Sequence, residues 1–183
     1  FEGYWNNAVA AGERVRGRSY WSGDLAYRDE AGFFYFAGRS SEWLRVDGEN
    51  LSAIQIEQVL VRHPLVSAAA VYGVPDPLVG DRVMAALQPV PGAALDMAQL
   101  EAFLDAQPDF GSKWKPSFVR IVAELPLTAT NKVLKRELKH QAWDCGDPVW
   151  FCDTRDRGYR LLGAAERAAL TPALAAREQP APQ

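Results

Sequence analysis

Three short stretches of this sequence bring together residue types suited to handling anionic or hydroxyl-bearing substrates. In Trp21-Ser22-Gly23-Asp24, the glycine lets the backbone turn closely past a ligand, and the carboxylate after it can accept bonds from two hydroxyls. A ribose diol is one such partner; a plain turn closed by an aspartate cap uses the same residues. In Gly38-Arg39, followed by Gly48-Glu49-Asn50, the Arg39 guanidinium offers a planar fork to ribose or phosphate oxygens, or else ends a strand at the surface. In Leu125-Pro126-Leu127-Thr128-Ala129-Thr130-Asn131-Lys132, a proline and two hydroxyls fix a loop that ends on a lysine. That lysine can deliver a point charge to a phosphate or carboxylate. Taken alone, it also reads as a solvated lysine ahead of Lys135, Arg136 and Lys139.

Regular elements must hold these stretches in place. A weak helical pattern covers residues 9–15. Residues 25–28 and 33–36 are aromatic-rich runs around Asp29-Glu30-Ala31-Gly32, the pattern of a β-hairpin. Gly38-Arg39-Ser40-Ser41 breaks it, and a second strand pair is expected at residues 42–46 and after the turn at residues 47–50. Ser52 and Gln55 have capping-box spacing before a helix with Ile54, Ile56, Val59 and Leu60 on one stripe. His63-Pro64 stops that helix, and His63 reads as a last-turn residue favoured by the helix dipole. Residues 66–74, 82–90 and 118–123 read as strands. Asp96 and Gln99 repeat the capping spacing before a helix carrying Leu100, Phe103 and Leu104. Residues 126–131 form a polar loop, a short helix starts near Val133, and the segment from Gly163 reads as one helix with a disordered end. The fold class is α+β.

Composition narrows the function. Hydrophobic residues make up 48% of the 183 and charged residues 23%, a globular balance with room for one domain of ordinary size. The formal net charge of −3 argues against a nucleic-acid partner. Two cysteines and two histidines are too few, and wrongly spaced, for a structural zinc site, so no metal site is expected and Cys145 and Cys152 read as free thiols. The longest apolar stretch is too short to cross a bilayer, and no basic-then-apolar leader opens the chain. The cytoplasm, or the cytoplasmic face of a membrane, is the expected compartment. The chain starts at Phe1 rather than Met, and a fragment is expected.

The order of the motifs says more than any one of them. Tyr20-Trp21-Ser22-Gly23-Asp24 is followed by Gly32-Phe33-Phe34-Tyr35-Phe36-Ala37-Gly38-Arg39, then Gly48-Glu49-Asn50-Leu51-Ser52 with Ile56-Glu57. Tyr72-Gly73-Val74-Pro75-Asp76-Pro77 with Gly80-Asp81 comes next, and Pro126-Leu127-Thr128-Ala129-Thr130-Asn131-Lys132 last. Over residues 1–142 this succession resembles the adenylate-forming (AMP-binding) superfamily of acyl-CoA synthetases, adenylation domains and luciferases. Arg45-Val46-Asp47-Gly48-Glu49-Asn50 and Asn131-Lys132-Val133-Leu134-Lys135-Arg136 look most like its fatty-acid transport protein and very-long-chain acyl-CoA synthetase branch.

The resemblance implies a small C-terminal lid. Residues 1–38 would end a large AMP-binding domain, residues 39–142 would form the lid with a three-stranded sheet packed by helices, and residues 143–183 would be a tail. The implied reaction joins a fatty or other lipophilic acid to CoA through an acyl-adenylate, using ATP and Mg2+. Lys132 would be the catalytic lysine, Asp24 and Arg39 would bind ATP or AMP, and Gly48, Glu49 and Asn50 would face CoA. The hinge would lie at Ser41, where the family usually has Asp or Lys; a serine still permits the rotation. No phosphate-binding Ser/Thr/Gly loop is present, so the chain alone is expected to be inactive. A large domain supplied in trans and a peripheral membrane contact are further partners to test. A noncatalytic partner-binding module of the same ancestry is the competing reading.

Overall fold

The computed structural model describes residues 3–39, 42–46, 48–76, 80–153 and 158–177, and the chain divides into two units, residues 1–43 and 44–183. In the first unit, α1 (Ala8–Arg14) starts where Asn7 accepts the Ala10 N–H at 3.0 Å. β1 (Val15–Arg16) pairs with β2 (Ser19–Tyr20), and β3 (Asp24–Arg28) pairs with β4 (Phe34–Arg39), both antiparallel. Asp29 builds the turn of the second hairpin. Its carboxylate accepts the Phe33 N–H at 2.8 Å and the Tyr35 hydroxyl at 2.9 Å, and Gly32 takes the φ of +92° that the turn needs. The Phe33 amide first, then the Tyr35 hydroxyl, hold the Asp29 carboxyl below its ordinary range. Tyr27 and Tyr35 stack across the strands at 5.0 Å. Trp5, Tyr27, Phe33, Phe34 and Phe36 are all exposed, an unusual concentration of uncovered aromatics.

The second unit is one mixed sheet between two helical layers. β5 (Trp43–Val46), which starts at the boundary, lies beside β6 (Glu49–Ser52). α2 (Ala53–Leu60) leads to β7 (Val66–Asp76) and β8 (Gly80–Pro89), which pair antiparallel along their length. α3 (Met97–Asp105) crosses over to β9 (Phe118–Ile121), parallel to β8. α4 (Lys135–Gln141), β10 (Val149–Phe151), β11 (Arg160–Leu161) and α5 (Ala164–Arg177) complete it. The three-stranded sheet expected from sequence is β7, β8 and β9; the expected second strand pair, β5 and β6, joins it, and β10 and β11 extend it further, in the order β11-β10-β9-β8-β5-β6 with β7 on the other side of β8.

Period-two alternation along β7 and β8 sorts the core. Val71, Val83, Ala85 and Leu87 point to the layer of α2 and α3, against Ile56, Leu60, Leu100 and Leu104. Tyr72, Met84 and Ala86 point to the layer of α4 and α5, with Leu138, Trp143 and Leu170. Burying a side chain such as Leu138 contributes about 1.5–3 kcal/mol.

Three expectations are corrected. Ser52 is the N-cap of α2, but its side chain makes no capping bond; it is buried at the end of β6. His63 is not a charged last-turn residue. It is buried, its Nδ1 accepts the Leu65 N–H at 3.2 Å, and its ring meets Phe103 edge-on at 4.9 Å. Burial therefore lowers its pKa and favours the neutral ring, the opposite of what a dipole contact would do. Residues 143–162, expected in the tail, belong to the core: Trp143, Val149 and Leu162 are buried, and β10 pairs with β9.

Candidate functional site

Two of the expected site residues meet in the first unit. Asp24 opens β3 and Arg39 ends β4, and they are cross-strand partners. The register depends on one irregularity. Leu25 faces Gly38 while Ala26 faces Phe36, so β4 carries one extra residue at Ala37. Without that bulge Asp24 would face Gly38, and Arg39 would fall beyond the pair. With it, Arg39 Nε donates to Asp24 Oδ1 at 3.1 Å. Both side chains remain open to solvent, at 59% and 39% exposure, so the pair orients two groups more than it stabilises the fold.

The turn that presents Asp24 is braced from both ends. Gly23 takes φ +81°, and Ser22 Oγ accepts the Asp24 N–H at 3.1 Å. Arg14, at the end of α1, donates to the Ser22 carbonyl at 2.8 Å, and Arg16 lies over the Trp21 ring at 4.9 Å. The two arginines were not singled out in the sequence. Their only signal was the basic spacing before the aromatic pair.

In the second unit Lys132 ends a loop closed by its own backbone. The Thr128 N–H donates to the Lys132 carbonyl at 2.7 Å, and the Asn131 N–H donates to the Thr128 carbonyl at 2.9 Å. Thr128 Oγ1 accepts the Lys132 N–H at 3.0 Å and contacts the Thr130 hydroxyl at 3.0 Å. Asn131 holds φ +58°, a left-handed conformation that asparagine tolerates better than most side chains. Leu127 and Val133 bridge across the base, and the Leu134 N–H reaches the Pro126 carbonyl at 2.8 Å. Lys132 is exposed, and among the described residues its ammonium has no ion-pair or hydrogen-bond partner. An open depression of about 490 Å³ lies against the first residues of this loop, walled by Leu125, Pro126, Leu127, Arg120, Glu124 and Glu137.

Gly48, Glu49 and Asn50 form an exposed turn into β6. Gly48 has φ +77° with open space where a Cβ would stand. Glu49 is neutralised by Lys113 at 2.6 Å, a residue of the short 3-10 turn Ser112–Trp114 that the sequence pattern did not single out. Ser41 lies outside the described residues. Among the described residues no three His, Cys, Asp or Glu side chains stand close enough to hold a metal. No helix among them is long and apolar enough to cross a membrane.

A mixed sheet with a lysine loop after its central strands, preceded by an Asp–Arg hairpin, defines a class. Residues 55–132 match the AMP-binding enzyme C-terminal domain family, and the chain belongs to the AMP-binding superfamily, corresponding to the C-terminal part of its acyl-CoA synthetases. It is 56% identical over 150 residues to the medium/long-chain-fatty-acid–CoA ligase FadD17 of Mycobacterium marinum, covering 82% of this chain and 30% of that protein. It is 53% identical to the steroid-22-oyl-CoA synthetase of Rhodococcus jostii, covering 82% of this chain and 27% of that one. Among solved structures, ATP-bound MatB from Rhodopseudomonas palustris superposes with a TM-score of 0.69 at 30% identity, over 79% of this chain and 28% of that chain. The anthranilate CoA ligase AuaEII in complex with anthranoyl-AMP gives 0.67 at 29% identity, over 77% and 28%. The chain thus spans less than a third of the length of these relatives.

Proposed function

We propose that this chain supplies the lid and the catalytic lysine of a fatty-acid–CoA ligase, which turns ATP, a fatty acid and CoA into acyl-CoA, AMP and pyrophosphate. The observation that carries the reading is Lys132: an exposed ammonium with no partner among the described residues, at the end of a loop whose backbone is closed by Thr128. Adenylation brings an anionic carboxylate against an anionic phosphate. A cation where the two meet lowers that repulsion most as the new bond forms. A lysine on a flexible stem can supply the charge and then withdraw.

In the same reading residues 1–38 end the large nucleotide-binding domain, residues 39–142 are the lid, and Ser41 is the hinge. Asp24 takes the ribose hydroxyls. Its pairing with Arg39 uses Asp24 Oδ1 and Arg39 Nε, which leaves Oδ2 and the two terminal guanidinium nitrogens for a nucleotide. Gly48, Glu49 and Asn50 face CoA once the lid has turned, with Lys113 offsetting the Glu49 charge. Mg2+ would arrive with ATP on the large domain. The cytoplasm, with or without contact to a membrane surface, is the proposed location.

A second reading, a noncatalytic module that docks on a partner, draws on the exposed aromatics of the first unit. The test is to join the chain to the large domain of a related synthetase and assay ATP-dependent acyl-CoA formation from fatty acids. Activity in the joined protein and none in the chain alone is expected. A joined protein that folds and binds ATP but makes no acyl-CoA overturns the proposal in favour of the docking module.

A further inference from the structure

β7 pairs with β8 along one side, and among the described residues no strand lies along its other side. Such an edge leaves backbone N–H groups without strand partners. At Val71 a side chain takes the strand's place: Glu57, on α2, accepts the Val71 N–H with Oε1 at 2.6 Å. The same oxygen takes the ammonium of Lys135 at 2.7 Å, with Lys135 27% and Glu57 19% exposed. α2 covers one face of the sheet, and α4, whose first residue is Lys135, covers the other. One carboxylate oxygen therefore reaches round the open edge and joins the two helical layers.

Lys135 stands three residues beyond Lys132. The bonds of the lysine loop run from Thr128 to Lys132 and from Pro126 to Leu134 and fix its shape. Its incoming end is tied to β8, where the Leu125 N–H donates to Gln88 Oε1 at 3.0 Å. Its outgoing end enters α4, which the buried Leu138 seats on the face of the sheet and Lys135 ties to the sheet's edge. We infer that Glu57 is a positioning residue for Lys132: through Lys135 it fixes the first turn of α4 against the edge of β7, and with it the aim of the lysine loop. The inference rests on the reading of Lys132 given above. It also explains why two charged groups on opposite layers share a largely shielded contact, where protection of a strand edge alone would need only an acceptor for Val71.

Glu57→Gln separates the two roles, because the amide keeps an acceptor for the Val71 N–H and gives up the charge that holds Lys135. Lys135→Met removes the cation, and Lys135→Arg restores it. Amide hydrogen exchange on the full chain is the first readout. In Glu57→Gln and Lys135→Met the amides of Thr128, Asn131 and Leu134 are expected to exchange about tenfold faster, while Val71 and the β8 amides keep their protection and Lys135→Arg behaves as the parent. In the chain joined to a relative's large domain, kcat for adenylate formation is expected to fall about tenfold with KM for ATP unchanged, and thioester formation from preformed acyl-adenylate to stay intact. Loop amides that do not respond, a uniform loss of protection through Val71 and β8, or unchanged adenylation beside a loosened loop would each overturn the inference. A loosened loop beside a parent fusion that makes no adenylate would instead uphold the positioning and sink the ligase reading.

Discussion

Arg167→Ala tests whether residues 143–162 are built into the core of the second unit, because one guanidinium holds that segment in place. Arg167 Nη1 donates to the carbonyls of Trp143 at 3.0 Å and Cys145 at 2.8 Å, Nη2 to that of Asp147 at 3.0 Å, and Nε to that of Leu162 at 3.3 Å. Bonds from a charged donor contribute about 1.5–3 kcal/mol each when fully shielded, but the four do not add. Cys145 and Asp147 are half-buried between exposed neighbours, and their carbonyls can turn to water once the arginine is gone. The carbonyl of Trp143, whose residue is 1% exposed, and the 3.3 Å bond to Leu162 are harder to replace. The expected loss is therefore that of one or two such bonds, about 2–4 kcal/mol. In urea unfolding followed by far-UV circular dichroism, that lowers the midpoint by roughly 1–2 M at an m of about 2 kcal/mol/M, with m unchanged. Arg167→Lys keeps the charge but has no fork to reach both sides of the turn, and should recover less than half of the loss. A midpoint within about 0.3 M of the parent, well inside one hydrogen bond, would show that α5 is not docked on this turn.

Three further outcomes follow from the same geometry. Burial disfavours the His63 imidazolium in the folded state, so the unfolded chain takes up its proton first; stability is full above the ordinary value of 6.5 and falls as pH drops from there towards the depressed folded value. His63→Leu should remove that slope in unfolding experiments between about pH 6.5 and 5, above the range in which carboxylates titrate, and a slope that persists would point to another group. Gly48→Ala has room for its methyl but must adopt φ +77°, and should cost about 1 kcal/mol in urea unfolding, more than any gain from a stiffer unfolded chain. Asp24→Asn in the chain joined to a large domain should raise KM for ATP about tenfold, the worth of one charge-assisted bond, and an unchanged KM would remove Asp24 from the ribose site.

What the sequence revealed, and what it hid, follows from distance along the chain. The Asp29 hairpin, the Asp96-capped helix and the β7, β8 and β9 strands have local causes: turn residues, a cap three residues from its target, and runs of β-formers. The bulge at Ala37 was invisible because it exists only in the pairing of β3 with β4. The segment after α4 looked like a tail because Trp143, Val149 and Leu162 are scattered among turn-forming residues, and only the edge of β9 and the fork of Arg167 gather them. His63 was misread for a related reason. Its position after α2 suggested a dipole contact, while Phe103, from the next helix, buries it. Lys132 stood out as the end of a motif, but its link through Lys135 to Glu57 joins helices far apart in sequence.

Lys132 is proposed to supply the charge for adenylation. The most direct measurement is pyrophosphate release from ATP and a fatty acid, without CoA, by the chain joined to a relative's large domain, comparing the parent with Lys132→Ala. A fall of at least about a hundredfold in kcat is expected, the usual effect of losing one electrostatic contact to a developing charge, with the fold and KM for ATP little changed. Pyrophosphate release at the parent rate in Lys132→Ala would contradict it.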